Sequence, residues 1–351
     1  MATFVAGICA WAGEDAPLSA ADSVAAIQDD AGPRFSDVVQ YRAALDASAR
    51  GVYNQPSDRF WQVYDFGIDA FGTISSPTRD WASFVVQLYA TRLQGHPRPP
   101  GFFDGSYDWE LLPKVNTLNF HLSGDGRFNL RAGHMELPYG LDAMINTSGT
   151  LRQMNNARNL GTKIDWGATL NGTFPGFMYE FGVGRGSGMD YVATGDPHMF
   201  VGRVGTPVDT RDFYGTPALG LSFYETRLRL SNGRFTDRWR VGVDGQHYLG
   251  PVGLLGEVSL GENDNVDVVN TLAEVNLSNA RQTVLGYFQS RINFREDAID
   301  GYHNEGLMAL GIRYAPDNHW ALSAQFSQQL WNYSGPFNGN QTLEFQLRYR
   351  L

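Results

Sequence analysis

The side chains that could do chemistry here fall into two sets. The histidines (His96, His121, His134, His198, His247, His303 and His319) are scattered, with no HExxH phrase and no pair four residues apart, so they outline no metallohydrolase. Gly182-Val183-Gly184-Arg185-Gly186 holds a GxGxG phrase, but it lies in an extended stretch with no helix pattern after it, and a phosphate cradle needs that helix N-terminus. The expectation is a chain that is no enzyme and uses no cofactor or metal. The second set is electrostatic. Arg42, Asp46 and Arg50 are spaced by four, Asp65 and Asp69 by four, and Arg348 and Arg350 by two. In an extended chain such spacings put the charges on one face. A face carrying both signs orders water and ions and discriminates between solutes by charge.

Strands must position those charges, and the sequence supplies them. Over 340–351, Leu343, Phe345, Leu347, Tyr349 and Leu351 take one parity, while Glu344, Gln346, Arg348 and Arg350 take the other. The same device begins at Val39, Tyr41, Ala43, Leu45, Ala47 and Ala49, which alternate with Gln40, Arg42, Asp46, Ser48 and Arg50. Tyr64, Phe66, Ile68 and Ala70 then oppose Asp65, Gly67 and Asp69, and Phe84, Val86, Leu88 and Ala90 oppose Gln87 and Tyr89. A weaker pair, 114–122 and 127–135, flanks the turn Ser123-Gly124-Asp125-Gly126. Leu160, Ile164, Trp166, Ala168 and Leu170 alternate with Lys163, Asp165 and Thr169, and further strands are read near 177–183, 198–205, 218–230, 238–249, 252–261, 268–277, 282–294, 305–314 and 320–330.

These stretches run to a dozen residues or so, and a tilted strand crosses a bilayer in about nine to eleven. The prediction is an all-β, single-domain, antiparallel transmembrane barrel of about sixteen strands, apolar outside and charged inside. Short turns such as Leu249-Gly250-Pro251 and Ala315-Pro316-Asp317-Asn318 are expected at one rim and long loops at the other. Phe60, Trp61, Trp81, Trp239, Tyr248, Trp320, Trp331 and Tyr349 fall near predicted strand ends, where interfacial girdles would place them.

Composition agrees. There are 40 glycines, 13% aromatics and 42% hydrophobics, without an apolar run long enough for a membrane helix. The net charge of −10, with Lys114 and Lys163 the only lysines, excludes a protein that wraps nucleic acid. Residues 1–12 (MATFVAGICAWA) read as an apolar core ending in Ala10-Trp11-Ala12, the pattern of a signal-peptidase site, so export by a signal peptide is expected. Cleavage there would remove Cys9, the single cysteine, and with it thiolate or haem-attachment chemistry. Residues 13–34, small, acidic and bounded by proline, are expected to be a flexible periplasmic segment before a barrel spanning 35–351.

Several phrases resemble the phosphate/polyphosphate-selective porins (porin O/P) of Gram-negative outer membranes. They are 129–141 (NLRAGHMELPYGL), 158–172 (RNLGTKIDWGATLNG), 178–186 (MYEFGVGRG) and 238–261 (RWRVGVDGQHYLGPVGLLGEVSLG). Residues 285–294 and 307–322 add a tyrosine-bearing strand and a closing hairpin, and the likeness extends from about residue 35 to the end. The closing stretch resembles the last strand of such barrels, with Tyr349 third from the end, although a terminal Phe or Trp is usual where Leu351 stands.

The resemblance implies a homotrimer in outer-membrane lipid, passing small hydrophilic or anionic solutes or ions through a water-filled lumen narrowed by an inward loop. Residues 136–156, with Glu136, Pro138, Tyr139, Asp142 and Arg152, match that loop through the Pro138-Tyr139-Gly140 phrase. The expected lumen set is Arg42, Asp46, Arg50, Asp65, Asp69, Asp165, Arg240, Asp244, Arg291, Arg313, Arg348 and Arg350, with Glu180, Glu257, Glu274 and Glu344 on the same parity. Arg291, Arg313, Arg348 and Arg350, joined by Arg42 and Arg50, would form a basic stripe facing an acidic wall of Asp65, Asp69, Asp165 and Asp244. Phosphate specificity is not carried over, because the chain has almost no lysine. The alternative is a barrel that sheathes a periplasmic multihaem cytochrome.

Overall fold

The computed structural model describes residues 38–351 apart from 56, 97–106, 146, 148, 190–194, 208–215, 231–232, 298–300 and 332–339. The expected signal peptide and flexible segment, 1–34, lie outside the described residues. Sixteen antiparallel strands form one closed sheet. They are β1 (Val39–Gln55), β2 (Arg59–Ser76), β3 (Arg79–Gln94), β4 (Trp109–His121), β5 (Asn129–Glu136), β6 (Ile164–Thr173), β7 (Met178–Gly184) and β8 (His198–Gly205). The second half comprises β9 (Ala218–Arg229), β10 (Phe235–Leu249), β11 (Val252–Asn263), β12 (Val266–Ser278), β13 (Val284–Asp297), β14 (Gly301–Tyr314), β15 (Trp320–Trp331) and β16 (Gln341–Arg350). Each strand pairs with its sequence neighbours, and β16 returns to β1 in a ladder running from Asp46 opposite Arg350 to Gln55 opposite Gln341. Closure gives every strand a neighbour on both sides, although the ladders are shorter than the longest strands: 39–44 of β1 lie outside the β16 ladder and 109–115 of β4 outside the β5 ladder.

The two-residue period decides which side chains face where. Phe345, Leu347, Phe288 and Ile312 point outward and are 42–57% exposed, whereas Gln289 and Arg313 point inward at 1% and 7%. Gln346 and Arg348 share the inward parity. The outer face is therefore a continuous apolar belt, far larger than a water-soluble surface tolerates. The interior is polar. Some of its apolar side chains, Met199, Val201 and Tyr224 on one arc and Leu255 and Leu272 on another, lie where an inward segment packs on them, while Val52, Val63 and Leu93 are buried on β1 to β3.

Three expectations are corrected. Trp61 and Tyr248 take the inward parity of β2 and β10, so they belong to no outer girdle; the Trp331 side chain lies outside the described residues. Trp320 and Tyr349 do meet on the outside, ring centroids 4.6 Å apart. The rims are also less unequal than expected. The rim that holds the longest connection, 137–163, also holds the tight Asp264-Asn265 turn, both residues at positive φ (49° and 67°) as a type I′ hairpin requires. Finally, the wall is uneven in height: β1, β2 and β3 have 17, 18 and 16 residues, whereas β5, β7 and β8 have 8, 7 and 8.

Candidate functional site

The site grows from the connection after β5. Leaving the wall at Glu136, residues 137–163 turn into the barrel through Leu137-Pro138-Tyr139, make a 3-10 turn at Leu141–Ala143, and end in a short helix, α1 (Asn156–Asn159), before rejoining at β6. The expected span of 136–156 is thus extended by seven residues. Leu160, read from sequence as an outward strand residue, is fully buried beside Tyr139 and Tyr224 instead. The apolar residues at the entrance explain the docking. Leu137, Tyr139 and Leu160 fill the inner face of β8 and β9, and Leu141 and Met154 cover Leu255 and Leu272 on β11 and β12. Burying these side chains offsets the cost of ordering so long a segment.

Polar contacts fix its register. The Tyr139 hydroxyl is 2.6 Å from Ser259 Oγ, the Gly140 amide donates to Ser222 Oγ (3.0 Å), and the Leu141 amide donates to Glu257 Oε2 (2.9 Å). Burial pushes the Tyr139 hydroxyl pKa up to about 12, so it stays protonated. Gly140 has φ +57°, and a Cβ there would run into the Glu257 carboxylate. Gly242 leaves the space that the Tyr139 ring occupies. Farther along, Arg152 binds Glu274 (2.9 Å), the Gln153 amide donates to Gln289 Oε1 (3.3 Å), and Ser323 Oγ donates to the Gly149 carbonyl (2.7 Å). Arg158 pairs with Glu305. The segment therefore lies along the wall from β8 to β15.

Each sequence-predicted residue can now be placed. Of the loop set, Glu136 meets Lys163 (3.4 Å), Pro138 is buried, and Asp142 accepts from the Asn156 amide (3.1 Å) and pairs with Lys163 (3.2 Å). Burial opposes the charge on Lys163, but Glu136 and Asp142 outweigh it and raise its pKa above the ordinary lysine value. Under the segment, Arg291 donates to Gln153 Oε1 (3.0 Å) and Arg240 to Asn159 Oδ1 (3.0 Å). Arg240 also holds the carbonyls of Trp239 and Glu262, at 2.7 Å each, and is 1% exposed.

At the seam, both oxygens of Asp46 accept from Arg348 Nε (2.8 and 3.0 Å), and Asp69 meets Arg350 (3.1 Å). The Tyr89 hydroxyl sits between those two carboxylates, 3.0 Å from Asp46 and 2.8 Å from Asp69. Arg50 is 3.8 Å from Glu344. Asp65 accepts from Thr91 (2.5 Å) and Ser48 (3.4 Å), Arg313 donates to the Gln282 carbonyl (2.9 Å), and Arg42 is exposed beyond the end of the β1–β16 ladder.

The expected opposition of a basic stripe and an acidic wall does not form. Because β16 closes on β1, Asp69 stands beside the C-terminal arginines and pairs with one of them. Asp165 is capped by the amides of Gly186, Ser187 and Gly188 (2.7, 3.1 and 2.9 Å), and Asp244 is clamped by Arg203 at 3.0 and 2.6 Å. Arg203 escaped the sequence reading because the apolar Met199 and Val201 share its inward parity in β8, which blurs the alternation around it.

No protein-family model and no curated protein matches the sequence. Solved structures match in shape. The chain superimposes on a loop-deletion mutant of OmpT, an outer membrane protein of Vibrio cholerae, with a TM-score of 0.63 at 10% identity, over 90% of this chain and 100% of that one. The fold is porin-like. An anion-selective porin from Comamonas acidovorans gives a TM-score of 0.60 at 14% identity, over 89% of this chain and 100% of that chain. The outer membrane channel DcaP of Acinetobacter baumannii gives 0.63 at 10% identity, over 92% and 100%. At these identities the likeness concerns the porin-like barrel itself, and what passes through it must be argued from this chain's own lumen.

Proposed function

We propose that the protein is an outer-membrane porin, a passive diffusion channel for small hydrophilic or anionic solutes. The observation that carries this reading is the sidedness of the closed sheet: an apolar belt outside, a polar interior, and an ordered segment, 137–163, that narrows the interior without depending on a ligand. Lipid suits the belt, since closure pairs each strand with a neighbour on both sides. Within the porins, the phrases shared with the porin O/P family support a place near it, without its phosphate specificity. The inward segment occupies space that an inserted cytochrome would need, which favours a solute channel over a sheath.

Arg42, Arg50, Asp65 and Arg350 retain solvent contact and would line the passage. A homotrimer fits the uneven wall. Strands of 7 and 8 residues fall short of the nine to eleven or so that a bilayer asks of a tilted strand, and a second copy packed there would shield them. One matched structure, of Vibrio cholerae OmpT, is a trimer form. The test is reconstitution of the purified protein into planar bilayers, with molar mass in detergent measured by light scattering. Discrete ohmic conductance steps are expected; a bilayer that stays silent at high protein content overturns the channel.

A further inference from the structure

We infer that Lys114 contributes to the charge preference of the passage, adding an exposed ammonium to Arg42, Arg50 and Arg350 on the lumen wall that the inward segment leaves uncovered. The inference rests on the channel reading above and deepens it by naming a group that favours anionic solutes.

Three observations place Lys114 in that role. First, a break in register between β3 and β4, at Val86 and Leu88, releases Lys114 from simple alternation just after Pro113. Its ammonium comes to the inner face, 3.6 Å above the Tyr89 ring centroid. Secondly, that ring is an anchored platform. Its hydroxyl is engaged by Asp46 and Asp69, which are themselves held by Arg348 and Arg350, so the amine stands on a fixed aromatic face.

Thirdly, the charge on Lys114 is weakly compensated. Its nearest carboxylate, Asp65, is 3.8 Å away and already takes hydrogen bonds from Thr91 and Ser48. The Lys114 side chain remains 37% exposed to the lumen. The chain's other lysine contrasts with it, because Lys163 is closed in by two carboxylates at 3.4 and 3.2 Å. An exposed cation on a narrow polar wall raises the local concentration of anions and repels cations, and the low-dielectric surroundings reduce screening.

Because the full sequence has only two lysines, the charge can be changed chemically in the folded protein. The experiment measures reversal potentials in a potassium chloride gradient for wild type, Lys114→Arg, Lys114→Met and Lys114→Glu. It also measures a Lys163→Arg protein before and after succinic anhydride, which turns the Lys114 amine and the N-terminal amine into amides carrying a carboxylate; a Lys114→Arg/Lys163→Arg protein treated alongside reports the N-terminal contribution. Lys114→Glu and the succinylated protein should each lower the anion-to-cation permeability ratio by about threefold or more. Lys114→Met should fall between them and wild type, and Lys114→Arg should stay near wild type. A conducting Lys114→Glu channel with the wild-type reversal potential, or a succinylated channel with an unmoved one, overturns the role of Lys114 and leaves the channel standing. A silent wild-type protein overturns the channel itself. If Lys114→Glu fails to fold, the succinylation arm alone decides.

Discussion

The two sides of the lumen use the same residue types for different ends. Along β8 to β15, inward Ser222, Ser259, Glu257, Glu274, Gln289 and Arg240 are covered and hold residues 137–163 in place. Along β16 and β1 to β4, inward Asp46, Asp69, Arg348, Arg350 and Tyr89 bind one another and tie the last strand to the first three. One wall is built to carry an insert, and the other to close the barrel and present what remains exposed to the passage. An alternating pattern of charges thus fixes orientation, while the partner across space fixes role.

The largest expected effect comes from removing what distinguishes the covered wall. Replacing 139–159 with a short Gly/Ser linker should raise single-channel conductance about twofold or more. A conductance unchanged by the replacement would mean that the segment does not bound the passage. Next is the clamp beneath the covered arc. Arg203→Ala leaves Asp244 buried without its partner, and both side chains are at most 4% exposed. The loss should be about 3–5 kcal/mol in urea unfolding from detergent or lipid. Tyr139→Phe removes the hydroxyl that meets Ser259 and Asn159 and should cost about 1 kcal/mol, with conductance steps kept but noisier.

Alkaline pH probes the segment's root. The Lys163 pKa is raised in the fold, so its stabilising contribution is fully present below the ordinary lysine value and disappears as pH rises through the raised one. Proteolysis within 137–163 should therefore increase only at strongly alkaline pH, and Lys163→Met should erase that pH dependence. The smallest effect belongs to a rim. Asp317 accepts from the amides of His319 and Trp320, both at 2.8 Å, which lowers its pKa. Its capping is present above the ordinary aspartate value and lost as pH falls through the lowered one. Asp317→Ala should speed amide exchange at those two residues and leave conductance alone.

Much of this was legible because parity is a local property. Phe345 against Gln346, or Phe288 against Gln289, declares a lipid side and a lumen side without reference to any other strand. The entrance of the inward segment was legible at Pro138-Tyr139-Gly140, where a glycine at positive φ lets the chain turn inside. Its far end was not, because Leu160 and Lys163 continue an alternating pattern while being held by residues distant in sequence, Tyr224 and Asp142 among them. Pairing was equally hidden. That Asp69 answers Arg350 depends on closure between β1 and β16, and the special position of Lys114 depends on a break in register that composition does not announce.

Single channels recorded from the purified protein in a planar bilayer under a potassium chloride gradient should show discrete, ohmic steps whose reversal potential has the sign of anion preference. Absence of steps, or steps with cation preference, would contradict an anion-favouring channel.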